Sequence, residues 1–274
     1  MPLMLFALGG AVESNAADGK QPPQPAVSVT PVEKSFNTAD TWLEHIEKQL
    51  AKIETIHADI SYERIDGIGI LDDKQTQIGQ LLFQAAAPKS PSTGVRPARF
   101  VIHFVKLTID GRPQLQDIHH VFDGRWLVRR NNDEKIFNKD EIVAPDAPEN
   151  KKNPLGLGEG PFTFPVTAGK ERILKRFNAA LISTAEKDPL QTVHLRLIPK
   201  PDRRQELAQI DIWYHVKTGV PMRIETLDNA PNQTIVTVSK VKLDKAIDSA
   251  AFDVTVPHER GWHVEVRPYE NIKR

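Results

Sequence analysis

Residues 192–198 (TVHLRLI) and 210–216 (IDIWYHV) decide the fold of this chain, because apolar and polar side chains alternate in both. Alternation with a period of two is typical of β-strands that bury one face and leave the other more exposed to solvent. The pattern recurs in residues 221–227 and 234–241, and turns rich in Pro, Gly, Asp and Asn separate the four segments. The last third of the chain therefore predicts an antiparallel sheet that curls around its apolar face.

Six further segments with the same alternation precede this region and extend the predicted sheet toward the N-terminus. Asp123-Gly124 stands between two of them and predicts a tight hairpin turn. Together with a closing segment near the C-terminus, the pattern predicts about eleven strands. The six segments cover residues 56–65, 76–85, 99–107, 115–122, 125–130 and 135–143.

Two segments have helical instead of strand periodicity. The first begins at Asn37 or Thr38 and ends near Ile56, with apolar residues at spacings of three and four. The second covers residues 168–181 and also carries one apolar side. Two helices among so many strands predict an α+β fold, in which the helices pack on one curved antiparallel sheet.

Charge and cysteine content exclude several classes of protein. The 274 residues include 36 basic and 36 acidic side chains, so the formal net charge is zero. Nucleic acid is therefore not the expected partner, because binding a phosphate backbone needs excess Lys and Arg. The chain has no cysteine. Disulfides, thiol nucleophiles and zinc–thiolate sites are excluded for that reason.

The N-terminus has features of a secretion signal. Residues 3–12 (LMLFALGGAV) are an apolar run, and Ser14-Asn15-Ala16 resembles a cleavage site. The run is too short to cross a bilayer, which needs roughly 20 apolar residues. No Lys or Arg precedes it, so we expect either a signal peptide with a truncated start or a disordered apolar tail.

These features predict the organisation of the whole chain. We expect a signal peptide at 1–17, a Pro-rich disordered tether at 18–36, one folded domain at 37–267 and a tail at 268–274. The corresponding protein is expected to be exported as a soluble monomer.

One long loop interrupts the alternation at residues 144–167, where five prolines and three glycines occur. It also carries the apolar side chains of Leu155, Phe162 and Phe164. A long loop with apolar side chains usually covers something. Two interpretations stay open: plain packing onto the core, or a functional lid.

The sequence lacks the motifs of common enzymes. It contains no G-x-S-x-G elbow and no phosphate-binding loop of the G-x-x-x-x-G-K-[ST] type. Gly156-x-Gly158-x-Gly160 lies among prolines and lacks the strand–turn–helix context of a dinucleotide site. We therefore expect a protein that is not an enzyme and uses no cofactor, with a hydrolase as the least favoured hypothesis.

Histidines do not form an evident metal motif. His119 and His120 are adjacent on a predicted strand, so their side chains point to opposite faces and cannot share one ion. His258 and His263 fit a surface loop, and His103 falls on the polar phase of its strand. No metal site is predicted.

Large apolar side chains occur on most of the predicted strands. Any one of them fits an ordinary core, but together they suit a curved sheet whose concave face is too wide for its own side chains to fill. Such an apolar cavity would accept an acyl chain. The predicted lining residues are Phe83, Phe100, Ile102, Phe104, Phe122, Trp126, Trp213 and Phe252.

Seven segments, in this order, resemble the LolA-like family of periplasmic carriers of outer-membrane lipoproteins. The same fold occurs in sigma-factor regulators of the RseB type. The resemblance extends over about residues 38–267. The segments are 78–83 (IGQLLF), 95–100 (VRPARF), 121–127 (VFDGRWL), 153–155 (NPL), 193–200 (VHLRLIPK), 210–222 and 251–257 (AFDVTVP).

The resemblance implies an incomplete antiparallel β-barrel with helices as a lid over an apolar cavity. In the family an arginine of the "RP" motif holds the lid closed, and by motif this is Arg96. A guanidinium suits that task because it has five donors in a fixed fork. An ordinary edge-strand arginine is the alternative. The insert at residues 86–94 and the Pro-rich loop depart from the family pattern.

Two functions follow from the resemblance. The first is a periplasmic carrier that holds a lipoprotein acyl chain or another lipid, with transient contacts to membrane proteins and with Arg96, Leu155, Phe162 and Phe164 at the lid. The alternative is a regulatory or scaffold module, similar to RseB, that binds a protein partner in the cell envelope.

Overall fold

The computed structural model describes residues 37–67, 73–90, 94–96, 98–144, 169–201, 207–230 and 232–269. Within these ranges the chain forms two α-helices and fourteen β-strands. Helix α1 covers Ala39–Leu50 and helix α2 covers Lys170–Arg176. Neither described helix is long and apolar enough to span a membrane.

The strands run through both halves of the chain. In the first half they are β1 (Thr55–Asp66), β2 (Asp73–Gln84), β3 (Ala87–Ser90), β4 (Gly94–Arg96), β5 (Arg99–Ile109), β6 (Arg112–Phe122), β7 (Trp126–Asn131) and β8 (Ile136–Glu141). In the second half they are β9 (Phe177–Ile182), β10 (Thr192–Pro199), β11 (Leu207–His215), β12 (Pro221–Asp228), β13 (Gln233–Leu243) and β14 (His263–Arg267).

Twelve strands form one sheet in the order β14-β8-β7-β6-β5-β2-β1-β13-β12-β11-β10-β9. All neighbours are antiparallel except β14 and β8, which are parallel. Among the described residues, β9 and β14 are the edges and do not pair with each other, so the sheet stays open. The predicted α+β fold, a curved and incomplete antiparallel barrel with helices over its concave face, is confirmed.

Helix α1 begins where the sequence indicates. Thr38 is extended and accepts a hydrogen bond from the Thr41 backbone N–H, while the Thr41 hydroxyl is near the Thr38 backbone N–H, completing a capping box. Ala39, Leu43 and Ile46 are buried on the side facing the sheet. Spacings of three and four place these residues on one side of the helix, so their burial holds α1 against the concave face.

The main core lies between this helix and the concave face. Ile60 pairs with Val238, and Ile212 pairs with Ile224. Because paired residues on neighbouring strands lie on the same face of the sheet, each pair contributes both side chains to this core. The core thus runs without interruption from the strands of the first half to those of the second. Its fully buried members include Ile56, Phe104, Leu195, Leu197, Ile210, Ile212 and Ile224.

A second, smaller core lies on the convex face. Val101, Val121, Val128 and Phe137 are buried there against Phe252, which ends a short 3-10 helix (Ser249–Phe252). Residues from 247 to 262 pack over these strands. The segment that follows β13 therefore covers the convex side of β5 to β8, and β14 then adds to the sheet beside β8.

The structure corrects the second predicted helix. Only Lys170–Arg176 is helical, and Phe177–Ile182 is strand β9, which pairs with β10. Pairing with β9 satisfies backbone groups of β10 that would otherwise have no partner in the sheet. The stabilisation that this pairing provides outweighs the local helical propensity of the segment.

Strand β14 was not predicted. Its five residues (HVEVR) alternate between polar and apolar, but the segment is short and all five are exposed, so it resembles a surface loop. Its parallel pairing with β8 defines it instead.

Gly79 is required for the approach of β2 to β5. A Cβ atom at this position would lie 2.0 Å from the backbone oxygen of His103, in a neighbouring strand that cannot move alone. We expect Gly79→Ala to lower the free energy of unfolding by at least about 2 kcal/mol, because overpacking against backbone strains both strands. Chemical denaturation of the purified variant measures this loss.

Gly111→Ala is the matched control for that measurement. Gly111 has φ +77°, but no atom lies within 4 Å of the place where its Cβ would stand. Its substitution therefore costs only conformational strain of about 1 kcal/mol. If Gly79→Ala proves no more harmful than Gly111→Ala, the close approach of β2 and β5 is not a constraint on the fold.

Candidate functional site

Helix α1 is fixed over the turn between β11 and β12. His45 Nε2 lies 3.0 Å from the backbone oxygen of Val216, and the Ile46 backbone oxygen lies 2.9 Å from where a Cβ on Gly219 would stand. Gly219 has φ +71°, which a residue with a side chain rarely adopts. The turn therefore needs glycine both for its conformation and for the approach of the helix.

The two helices are joined to each other at the same end of the sheet. The Lys170 ammonium in α2 lies 2.8 Å from the Asp40 carboxylate in α1. The principal contacts of α1 outside itself are with α2 and β9. The helices therefore lie toward the β9 to β12 end of the concave face.

Aromatic side chains occupy the other end of the concave face. Phe100 on β5 pairs with Phe83 on β2 and with Phe122 on β6, so all three side chains are on one side of the sheet. The Phe100 and Phe122 ring centroids are 5.8 Å apart. We call Phe83, Phe100 and Phe122 the aromatic strip. It brings together three of the predicted lining residues.

Ile102 and Phe104 continue the same face along β5. Phe104 is fully buried, and its ring meets Tyr62 edge-on with centroids 6.3 Å apart. Both residues belong to the main core, which also contains Phe83 and residues of α1. They therefore form packed structure that is continuous with the strip.

Phe122 is buried in a separate small cluster. It packs with Val143, and Phe100, Leu127 and Ile142 lie partly buried around them. Phe100 also contacts the main core. The strip thus links the main core to an apolar patch just after β8, at the point in the sequence where the Pro-rich stretch begins.

His120 is a polar group on this otherwise apolar face. It pairs with Ile102 across β5, and its ring lies edge-on to Phe104 at 6.0 Å. Burial foremost, and then the nearby Arg129 and His119, lower the pKa of His120 to about 3. The imidazole is therefore neutral at physiological pH, and the strip carries no charge from it.

The other three predicted lining residues lie on the opposite face. Lys139 Nζ is 4.8 Å from the Trp126 ring centroid, and Arg99 Cζ is 4.1 Å from that of Phe252. Trp213 stacks on His194 at 4.1 Å. The eight predicted residues therefore do not form one cluster. Alternation along β7 and β11 places Trp126 and Trp213 on the convex side, and Phe252 belongs to the 3-10 helix that packs there.

The four predicted lid residues cannot be compared in the same way. Leu155, Phe162 and Phe164 lie outside the described residues. The backbone of Arg96 belongs to β4, which pairs with β3 in a separate two-stranded sheet, but its side chain also lies outside what is described. Their contact with a lid stays a prediction.

A buried charged network anchors the convex side of β10 and β11. Asp211 Oδ1 lies 2.7 Å from His194 Nε2 and 2.8 Å from Arg196 Nε, and Gln209 also donates to this carboxylate. Burial alone raises the pKa of Asp211, but hydrogen bonds from Arg196, His194 and Gln209 outweigh it and bring the pKa below its ordinary value. The carboxylate is ionised, and its oxygens accept hydrogen bonds from neighbouring side chains of the fold.

No family model matches this chain, and no curated protein matches it. Among solved structures it is similar to an uncharacterized conserved protein from Thermus thermophilus, with 11% identity, a TM-score of 0.47, and 84% of this chain and 98% of that one covered. A LolA superfamily protein from Nitrosomonas europaea gives 11% identity, a TM-score of 0.30, and coverage of 76% and 96%.

The complex of MucA and MucB from Pseudomonas aeruginosa is also similar, with 14% identity, a TM-score of 0.38, and 78% of this chain and 60% of that one covered. The present chain thus spans less than two thirds of that protein. Identities and TM-scores this low carry no information on family or ligands, and the resemblance to the LolA-like family stays a prediction.

Asp211→Asn tests the buried network. Because the pKa of Asp211 is lowered in the folded state, its contribution is complete above the unfolded pKa of about 3.9 and is lost as the pH falls below that value. At pH 7 we expect Asp211→Asn to cost roughly 3 kcal/mol of unfolding free energy, because it leaves buried donors poorly paired. Urea denaturation at several pH values measures the loss.

Asp110→Asn is the control, since Asp110 is exposed in a turn at φ +50°, which Asn also adopts. The difference between wild type and Asp211→Asn should shrink below pH 4, while Asp110→Asn stays near wild type throughout. A pH-independent difference would contradict the ionised state of Asp211.

Proposed function

We propose that this chain is a periplasmic carrier that holds an acyl chain of a lipid or lipoprotein on the concave face of its open sheet, beneath the helices and the long loop. The observation that carries the proposal is the aromatic strip. Phe83, Phe100 and Phe122 form an uncharged apolar strip on the concave face, in which Phe83 and Phe122 are buried and Phe100 is partly exposed.

Burial of an alkyl chain on such a surface needs no polar partner. Each methylene removed from water contributes roughly 0.8 kcal/mol, so about ten methylenes offset the entropy lost on association. Phenylalanine rings and a neutral imidazole add no charge that would have to be desolvated. The chemistry favours a saturated or unsaturated hydrocarbon tail over a charged ligand.

The position of the strip also suits release. It adjoins Val143, and the Pro-rich loop begins directly after the described residue 144. We propose that movement of this loop releases the tail, while α1 stays fixed to the β11–β12 turn by His45. In this proposal the loop, with Leu155, Phe162 and Phe164, closes over the bound tail. The protein carries out no catalysis.

Titration with a fluorescent fatty acid tests the proposal on the whole chain. We expect saturable binding by wild type, and about 10-fold weaker binding by the Phe100→Ala/Phe122→Ala variant, because truncation of two rings removes apolar contact area worth at least about 1.4 kcal/mol. Mass spectrometry of the purified wild type should find co-purifying lipid.

The matched control replaces an apolar residue that is exposed, namely Leu115→Ala, whose side chain is 91% exposed. Circular dichroism and thermal unfolding confirm that each variant is folded. Absence of saturable binding to wild type, or equal affinity in the folded double variant, would reject the acyl site.

A second function, binding of an envelope protein partner, is favoured by the edge strand β14. Val264 and Val266 are 39% and 44% exposed there, beside backbone that has no strand partner on its outer side among the described residues. A partner could add a strand at this edge. Cross-linking in envelope extracts that is abolished by Val264→Lys/Val266→Lys, with fatty-acid binding intact, would favour this function.

A further inference from the structure

Two histidines and a carboxylate converge on the convex face, apart from the aromatic strip. His103 Nε2 and His119 Nε2 each lie 2.8 Å from the same oxygen, Asp117 Oδ1. The two imidazole rings are stacked, with centroids 3.9 Å apart and planes within 13°. All three ligand atoms lie within 4.8 Å of one another.

The register of one hairpin creates this arrangement. Near the turn, Ile109 pairs with Arg112 and Lys106 with Leu115, but beyond it Phe104 pairs with Ile118. Residues 116 and 117 therefore stand opposite the single residue 105, as in a β-bulge. The extra residue shifts the register by one and places His103 directly opposite His119.

Asp117 and His119 are two residues apart on β6, so their side chains lie on the same side of the strand. The second oxygen of Asp117, Oδ2, accepts a hydrogen bond of 2.7 Å from Asn132 Nδ2, which orients the carboxylate and leaves Oδ1 directed at the imidazoles. A ligand held by such an outer partner is a recurring feature of metal sites. The backbone N–H of Asp117 donates to Asp133, which steadies the bulge.

The three groups offer the kinds of donor atom that bind a cation. Asp117 contributes the carboxylate oxygen Oδ1, and His103 and His119 each contribute the imidazole nitrogen Nε2.

One neighbouring charge opposes a cation. Arg130 pairs with His119 across β7, and its positive charge acts on that ring. The Asp253 carboxylate lies close enough to Arg130 for this charge to lower the pKa of Asp253. Arg130 is therefore balanced in part by Asp253, and Asp133 adds a second negative charge beside Asp117.

We propose that His103, Asp117 and His119 bind one divalent transition-metal ion of the Zn²⁺ class. Two imidazole nitrogens and one carboxylate oxygen are a donor set that prefers Zn²⁺, Co²⁺, Ni²⁺ or Cu²⁺ over Mg²⁺ or Ca²⁺. In the ion-free protein each Nε2–H donates to Asp117 Oδ1. Binding therefore shifts the proton of each ring from Nε2 to Nδ1 through solvent, and the neutral imidazole then offers its Nε2 lone pair to the ion without net loss of a proton.

The site is accessible from solvent and would leave a coordination position open. The side chains of His103 and Asp117 are 34% and 41% exposed, so an ion can reach them without unfolding. Three protein ligands leave a fourth position of a tetrahedral ion for water or an external donor. The convex metal site and the concave acyl site are on opposite faces of β5 and β6, so either can exist without the other.

Metal titration of the whole chain, after removal of bound metal with a chelator, tests the proposal. We expect one Zn²⁺ per chain that survives desalting, and a visible absorption band when Co²⁺ is used. Removal of one ligand, in His119→Ala or in Asp117→Asn, should weaken binding by about 10-fold or more. Asp117→Asn keeps an amide oxygen to accept from the histidines, so it preserves the fold best.

His263→Ala is the matched control, because His263 is exposed and outside the cluster. It should leave affinity and the Co²⁺ band unchanged. Circular dichroism checks that all variants are folded. The proposal is overturned if wild type retains no ion, or if folded His103→Ala/His119→Ala binds Zn²⁺ with wild-type affinity, since the ion is then held elsewhere.

Discussion

The pairing of β1 with β13 is the interaction on which the rest of the structure depends. It joins strands whose paired residues lie far apart in the sequence, as Ile56 with Leu243 and Ile65 with Gln233 show. On its other side β1 pairs with β2 along its whole length. Without this ladder the sheet would fall into two halves, each with a bare edge.

Polar contacts at the start of β1 secure the same junction. Asp244 Oδ1 accepts a hydrogen bond of 2.8 Å from the Glu54 backbone N–H, and the Thr55 hydroxyl donates to the Lys245 backbone oxygen at 2.6 Å. These bonds fix the end of the ladder, and the alternation along β1 then determines which residues face α1. The continuous concave core, and with it the aromatic strip, follows from that register.

Much of this architecture could be predicted from the sequence, because alternation of apolar and polar residues reports directly on burial. The strands from β5 to β8 and from β10 to β13 carry that signal clearly. Where burial does not alternate, the signal fails: β14 is exposed throughout, and β9 sits in a segment whose apolar spacing also fits a helix. Only pairing with neighbours distinguishes these cases.

The sites were predicted less completely, for reasons that are equally physical. The alternation correctly grouped Phe100, Ile102 and Phe104, and it also assigned Trp213 to the phase opposite Ile212. The predicted lining residues were grouped by size without regard to which face of the sheet each side chain occupies. Residues from both faces were therefore assigned to one cavity. The cluster of His103, Asp117 and His119 could not be predicted from the sequence, because it depends on a one-residue bulge that no local pattern reveals.

The distance in sequence between β1 and β13 has a consequence for synthesis. Contacts this remote raise contact order, and proteins rich in them fold slowly. The first half of the sheet keeps an edge and an apolar face uncovered until β13 is available to pair with β1. Such a nascent chain is a natural client for chaperones, and its folding rate should be limited by this single late docking event.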